Sequence, residues 1–257
     1  MDYGICLLAL VPMRAEASNK AEMVTQVLFG ECYQVISQKD KWLQIQLATD
    51  NYRGWIDLNQ HNSVSVAYFE KWQAAAHARV TDLLSFVENE NIQIPVSRGA
   101  YLPFYEHGTF AIENRNYTFA GNVSLPDSEI SKEKLTSLAV NFLKTPYLWG
   151  GKSVFGIDCS GFVQQLYGLC GYQLPRDAYQ QVEHGQEVHF ATQTQPGDLA
   201  YFANPEGRII HVGMLLENQQ IIHAAGEVRI DTLDHIGIYR SDRKAYSHQL
   251  RIIKRIN

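Results

Sequence analysis

Three side chains in this sequence have the types and spacing to do chemistry together: Cys159, His211 and His223. Cys159 follows a glycine-rich stretch, Tyr147-Leu-Trp-Gly-Gly151 and then Phe155-Gly-Ile-Asp158. After it comes an apolar period at Phe162, Val163, Leu166 and Leu169, which Gly171 stops. The pattern predicts a loop running into a helix that starts with Asp158, Cys159 and Ser160. A thiol there feels the partial positive charge of unpaired N–H groups, which lowers its pKa by about a unit or more from about 8.5 and favours thiolate. The same N–H groups can stabilise a tetrahedral oxyanion. Such a nucleophile needs a base. Residues 209–216 and 220–225 read as strands around a short polar turn, and with that turn centred on Glu217 the two histidines stand opposite each other on one sheet face. One imidazole can then take the thiol proton while the other fixes its ring.

Plainer readings of the same residues stand beside this one. A cysteine at a helix start is often structural, and a strand histidine often only packs. A His–Cys metal site is a third reading, but carboxylate or cysteine partners at ligand spacing are missing. The glycine-rich approach, the capped thiol and the facing histidines coincide, and together they favour nucleophilic catalysis with no metal and no cofactor. Cys6, Cys32 and Cys170 lie among apolar neighbours and read as buried, inert thiols. His61, His77, His107, His184, His189, His235 and His248 show no partner pattern and read as surface or packing residues.

Several elements must position these groups. The first sixty residues read as short strands at 6–11, 26–29, 33–37, 42–47 and 54–58, which predicts a small barrel with Gly30 and Gly54 at turns or bulges. Residues 66–78 read as a helix, and strand-like alternation returns at 80–87, 96–105 and 117–121. Leu125-Pro-Asp-Ser is a linker pattern. Ser131 is placed to cap a helix whose buried face carries Leu135, Leu138, Ala139 and Phe142, with Pro146 expected to end it. The expected domains are 1–62, 63–125 and 126–257.

Composition limits the function classes. A net charge of -5 and the absence of any basic run give no reason to expect nucleic acid or an anionic membrane as partner. Asp2 has the wrong sign for a signal peptide, and no apolar stretch approaches 18 residues, so the chain reads as cytoplasmic and not membrane-spanning. A chain already freed of a leader would read the same and be periplasmic or extracellular. Four scattered cysteines with no C-x-x-C pair make no disulfide framework.

Two resemblances sharpen this. Gln26-Val-Leu-Phe-Gly-Glu31, Trp42 and Tyr52-Arg-Gly-Trp-Ile56 resemble a bacterial Src-homology-3-type domain, and residues 63–125 resemble a second, diverged barrel of that type with an inserted helix. Asp158-Cys-Ser-Gly-Phe162, with Tyr147-Leu-Trp-Gly-Gly151 before it and Pro196-Gly-Asp-Leu-Ala-Tyr-Phe202, His211-Val-Gly and His223 after it, closely resembles the NlpC-type cell-wall peptidases. The resemblance implies an α+β fold: a papain-like domain of helices packed on an antiparallel sheet, preceded by two small β-barrels. It also implies Cys159, His211 and His223 at the catalytic positions and Tyr147 beside the oxyanion.

With the N-terminal barrels, the match is to γ-D-glutamyl-L-diamino acid endopeptidases that act on short stem peptides derived from peptidoglycan. In those relatives the first barrel closes one end of the cleft and helps to read a free N-terminal amine. The matching positions are Glu31, Tyr52, Trp149, Asp158, Ser160 and Asp177, and Arg176 is a further substrate-binding candidate whose plainer reading is a local pair with Asp177 that lowers the availability of that carboxylate. An ammonium group suits Glu31 and Asp177 chemically. Ala178 departs from the serine that similar enzymes carry. An amidase or acyltransferase of the same superfamily, or an inactive wall-peptide binding protein, would share much of this sequence pattern.

Overall fold

The computed structural model describes residues 2–90, 92–125, 131–189 and 193–256. Its contacts divide the chain into two compact units, one of residues 1–127 with 149–154 and one of residues 128–148 with 155–257. Beyond Leu125, the linker pattern lies outside the described residues.

In the first unit the strands are β1 (Asp2–Ile5), β2 (Leu10–Arg14), β3 (Met23–Leu28), β4 (Cys32–Lys39), β5 (Trp42–Leu47), β6 (Arg53–Asp57) and β7 (Ser63–Val64), in the order β3-β2-β6-β5-β4-β1-β7. Alternation sets their faces: in β5, Trp42, Leu43, Ile45 and Leu47 are buried and the glutamines between them are half-buried. The strand expected over 6–11 is broken, because β1 pairs with β4 while β2 pairs with β3 and β6. The chain must leave the sheet between them, and Cys6 turns its thiol onto the Leu8 carbonyl at 3.3 Å. Gly30 takes φ +77, and a Cβ there would lie 2.1 Å from the Tyr101 carbonyl oxygen, so only glycine fits that turn.

Helix α1 (Val66–Gln73) follows, capped by the Ser65 hydroxyl on the Tyr68 N–H. Next come β8 (Ala78–Val80), β9 (Leu84–Asn89), β10 (Ile92–Ser97), β11 (Tyr101–Leu102), β12 (Thr109–Ile112), β13 (Arg115–Phe119) and β14 (Val123–Ser124), which form one sheet of four and one of three strands. The two N-terminal segments share a core: Ile5, Phe29 and Cys32 from the first pack with Trp72, Val80, Val96, Phe110 and Tyr117 from the second. The short β15 (Lys152–Ser153) also belongs to this unit.

The second unit begins with α2 (Lys132–Val140), where Ser131 accepts the Lys134 N–H and Leu135, Leu138 and Ala139 are buried as expected. The helix ends at the Asn141 cap, before Pro146 can stop it, and Lys144 turns the chain with φ 70. After β16 (Gly156–Ile157) come α3 (Cys159–Leu169) and α4 (Ala178–Gln181). The remaining strands are β17 (Gln186–Glu187), β18 (Leu199–Ala203), β19 (Ile209–Leu215), β20 (Gln220–Ala225), β21 (Glu227–Leu233), β22 (Gly237–Arg240) and β23 (Ala245–Arg255). Their order is β17-β23-β18-β19-β20-β21-β22, and β23 also pairs with β22, so the antiparallel sheet closes on itself. Its inner face carries Phe202, Leu215, Ile221, Leu233 and Ile238 as one cluster. Helix α3 packs against β19 and β20 and is buried along its whole length.

Candidate active site

Cys159 is the first residue of α3, and Asp158 is its N-cap, accepting the Gly161 N–H at 2.7 Å. The structure therefore forms the expected loop-to-helix junction, but its electrostatic effect differs from the expectation. Burial, and then the Asp158 carboxylate, push the Cys159 thiol up to about 12, against lowering contributions from the Val212 backbone, Arg176 and the Ser160 backbone. Desolvation of a lone thiolate outweighs the helix-start field here. The Val212 contact is informative, because it sets the sulfur beside the residue that follows His211 in β19.

The two histidines meet, but not in the expected register. Asn218 and Gln219 take left-handed backbone, and β19 pairs with β20 as Met214↔Ile222 and Leu215↔Ile221, centred one residue later than Glu217. Continuing that register sets Gly213 opposite His223. A Cβ on Gly213 would lie 2.8 Å from the His223 Cβ, so the glycine leaves the room through which His211 reaches diagonally. His211 Nε2 and His223 Nδ1 are 2.8 Å apart. Burial, then His248 and His223, hold His211 well below the usual histidine range. Burial also lowers His223, although Asp231 opposes it.

Two neighbours were not legible as site residues. His223 Nε2 lies 3.0 Å from Asp231 Oδ2, and the Arg229 Nε donates to that same oxygen at 2.6 Å. His248, expected to be a surface or packing residue, stacks on His211 with ring centroids 4.0 Å apart and planes 19° apart. Burial, then His223, lower it to about 4. The nitrogens of His211, His223 and His248 come within 4.8 Å of one another. Rings stacked nearly parallel keep their lone pairs in separate planes, so His211 and His248 are poorly set to share one ion.

Around the helix start, Arg176 is buried: Nη1 donates to Asp158 Oδ1 at 3.0 Å and to the Ser160 hydroxyl at 2.9 Å. The second guanidinium nitrogen bonds the other Asp158 oxygen. A buried fork needs a planar carboxylate, and Asp158 supplies one. Ser160 also donates to Asp158 at 3.2 Å. Asp177 is half-buried at the start of α4, and Ala178 behind it is buried. The Tyr147 backbone N–H donates to Gly226 at 2.9 Å. Burial, then Cys159 and Asp158, raise its phenol, which places the hydroxyl in the field of the thiol.

In the first unit, Glu31 is fully buried. Its carboxylate accepts the Leu28 N–H at 3.0 Å and the Thr49 hydroxyl at 2.9 Å, and pairs with the Lys152 ammonium at 3.2 Å. The Glu31 carboxylate is thus already matched within the chain. Tyr52 packs against the barrel core, and Trp149 is 61% exposed with its indole N–H on Glu22.

Comparison with known proteins completes the description. Residues 144–247 match the model of the NlpC/P60 family, and residues 13–60 match that of the bacterial dipeptidyl-peptidase Sh3 domain. The gamma-D-glutamyl-L-lysine dipeptidyl-peptidase of Bacillus subtilis is 29% identical over 217 residues, covering 78% of this chain and 71% of that protein. The probable endopeptidase NlpC of Escherichia coli is 36% identical over 106 residues, 40% of this chain and 68% of that one. Among solved structures, an NlpC/P60 family protein from Bacillus cereus shares the fold, with a TM-score of 0.82 at 19% identity, over 98% of this chain and 99% of that one.

Proposed function

Because this chain belongs to the NlpC/P60 family and is a cysteine peptidase, we propose that it cuts the amide between γ-D-glutamate and an L-diamino acid in short peptidoglycan stem peptides with a free N-terminal L-alanine. The observation that carries this reading is the alignment of a helix-start sulfur beside β19 with the hydrogen-bonded pair His211–His223. The relative from Bacillus subtilis supports the choice of bond by its name.

In this reading the Cys159 proton passes to Nδ1 of His211 as the sulfur attacks the γ-carbonyl carbon. A lone thiolate and a lone imidazolium are both penalised by burial, so the proton moves within the pair when substrate arrives. The carbonyl π electrons go to oxygen, where the N–H groups at the start of α3 and the Tyr147 phenol receive the charge. Collapse restores the carbonyl and breaks the C–N bond, and the His211 imidazolium protonates the departing α-amine of the diamino acid. Water, giving its proton to His211, then attacks the thioester. The second collapse expels the Cys159 sulfur, which recovers that proton, and L-Ala-γ-D-Glu leaves.

Arg176, with its donors committed to Asp158 and Ser160, is assigned to holding that corner rigid. Asp177 is assigned to the substrate's ammonium. Glu31 keeps an amine-reading role only to the extent that it shares its charge with Lys152.

Mass spectrometry of products from defined tripeptides, free or N-acetylated and with lysine or diaminopimelate third, tests the reading. Release of L-Ala-γ-D-Glu from the free peptides alone supports it. Equal cleavage of acetylated peptides, or cleavage of intact wall alone, overturns it.

A further inference from the structure

Asp231 lies on β21, and the sheet register explains how it meets His223. Arg229 stands directly opposite His223 in the β20–β21 pairing, and strand alternation returns Asp231 to that face two residues on. The hydrogen bonds then step diagonally across three adjacent strands: His211 on β19 to His223 on β20 at 2.8 Å, and His223 to Asp231 on β21 at 3.0 Å. Arg229 locks the end of this row. Its Nε donates to Asp231 Oδ2 at 2.6 Å and its Nη2 to Oδ1 at 2.8 Å, while Asp242 in turn receives Arg229 and Arg240.

We propose that Asp231, clamped by Arg229, is a positioning residue that fixes the tautomers of both histidines and so leaves Nδ1 of His211 as the free base. An ionised carboxylate can only accept, so His223 must carry its proton on Nε2. A neutral imidazole has one N–H, and His223 Nδ1 is therefore an acceptor. His211 must then donate from Nε2, and its Nδ1 keeps a lone pair. One carboxylate thus determines two rings, and the base is the second of them.

The charge states this argument needs are the ones the site favours. Burial works to raise the Asp231 carboxyl, but hydrogen bonds from His223 and Arg229 outweigh it and hold it below its ordinary value. Both histidines are shifted towards the neutral form. The titratable and charged groups facing His223 are His211 on β19, Arg229 and Asp231 on β21, Arg240 on β22 and His248 on β23. When His211 takes up the thiol proton, its new charge lies two hydrogen bonds from a carboxylate.

This inference rests on His211 being the base, and its test separates the two. Ring ¹⁵N spectra of the histidines in the intact protein are expected to show Nε2–H tautomers for both His211 and His223. Asp231→Ala should disturb both assignments and lower kcat about 100-fold with KM within about twofold. Asp231→Asn, which retains an acceptor and guards against a folding defect, should fall between the two. An Nδ1–H tautomer at His223 in the unaltered chain, or an Asp231→Ala variant with unchanged kcat and unchanged pH profile, overturns the role of Asp231. If His211→Ala is itself active, the reading beneath it fails instead.

Discussion

Gly213 stands where the β19–β20 register brings it against His223, and the missing Cβ is what lets His211 close to 2.8 Å from the His223 ring. Gly213→Ala puts a methyl carbon 2.8 Å from the His223 Cβ and equally close to Ile221, a distance at which one of them must move. Overpacking of this kind costs about 1–3 kcal/mol. A shift of about 1 Å in the His223 ring lowers turnover on the order of 100-fold. The expected outcome is a folded protein with a depressed kcat, seen by combining circular dichroism with peptide-release kinetics. Wild-type turnover would show that the diagonal contact is not needed.

His248 covers the His211 ring without a direct hydrogen bond to it, its Nδ1 being 2.9 Å from the Ser247 hydroxyl. A stacked ring pair is worth about 0.5–1.5 kcal/mol. His248→Ala should therefore lower kcat by up to about tenfold, and His248→Phe, which keeps a ring, should recover most of it. Identical kinetics for the two variants would remove the stacking role.

The Glu31–Lys152 pair sits with side-chain exposures of 0% and 3%. Removing one partner leaves a buried charge unmatched, so Lys152→Met should cost about 3–5 kcal/mol of stability. Adding Glu31→Gln in the same chain should restore much of that loss. Urea unfolding of the two single variants and the double variant measures it, and additive effects would mean that the pair is not coupled.

Buried His77 and half-buried His248 both contribute to an acid limit. Burial lowers His77 and His248 from 6.5 to about 4. The unfolded chain therefore binds protons at these rings below about pH 6.5, while the folded chain refuses them until about pH 4. Across that window the unfolded state holds more protons, so stability falls as pH is lowered. The melting temperature should drop steadily from pH 6.5 to 4, and His77→Gln should flatten the slope. A slope that His77→Gln leaves unchanged would contradict its share.

Much of the site was legible because its signals are local. The Asp158 cap, the apolar period of α3 and the polar turn before Gln220 each lie within a dozen residues. What sequence reading missed depends on long-range geometry. His248 reaches His211 only because β23 pairs with both β18 and β22 and closes the sheet. Asp231 looks like an ordinary polar position on a strand until β21 is set in register with His223. The hairpin centre was misplaced by one residue, since Asn218 and Gln219 carry the left-handed turn rather than Glu217. The thiol's shift was misjudged because burial, invisible in a sequence, outweighs the helix start.

The most direct test of the central claim is to look for the acyl group on the sulfur. Rapid quenching of the enzyme with L-Ala-γ-D-Glu-L-Lys, followed by peptide mass spectrometry, should find the dipeptidyl adduct on the fragment containing Cys159, and Cys159→Ala should show neither adduct nor product. Continued product release by Cys159→Ala, or an adduct on another residue, would contradict the account.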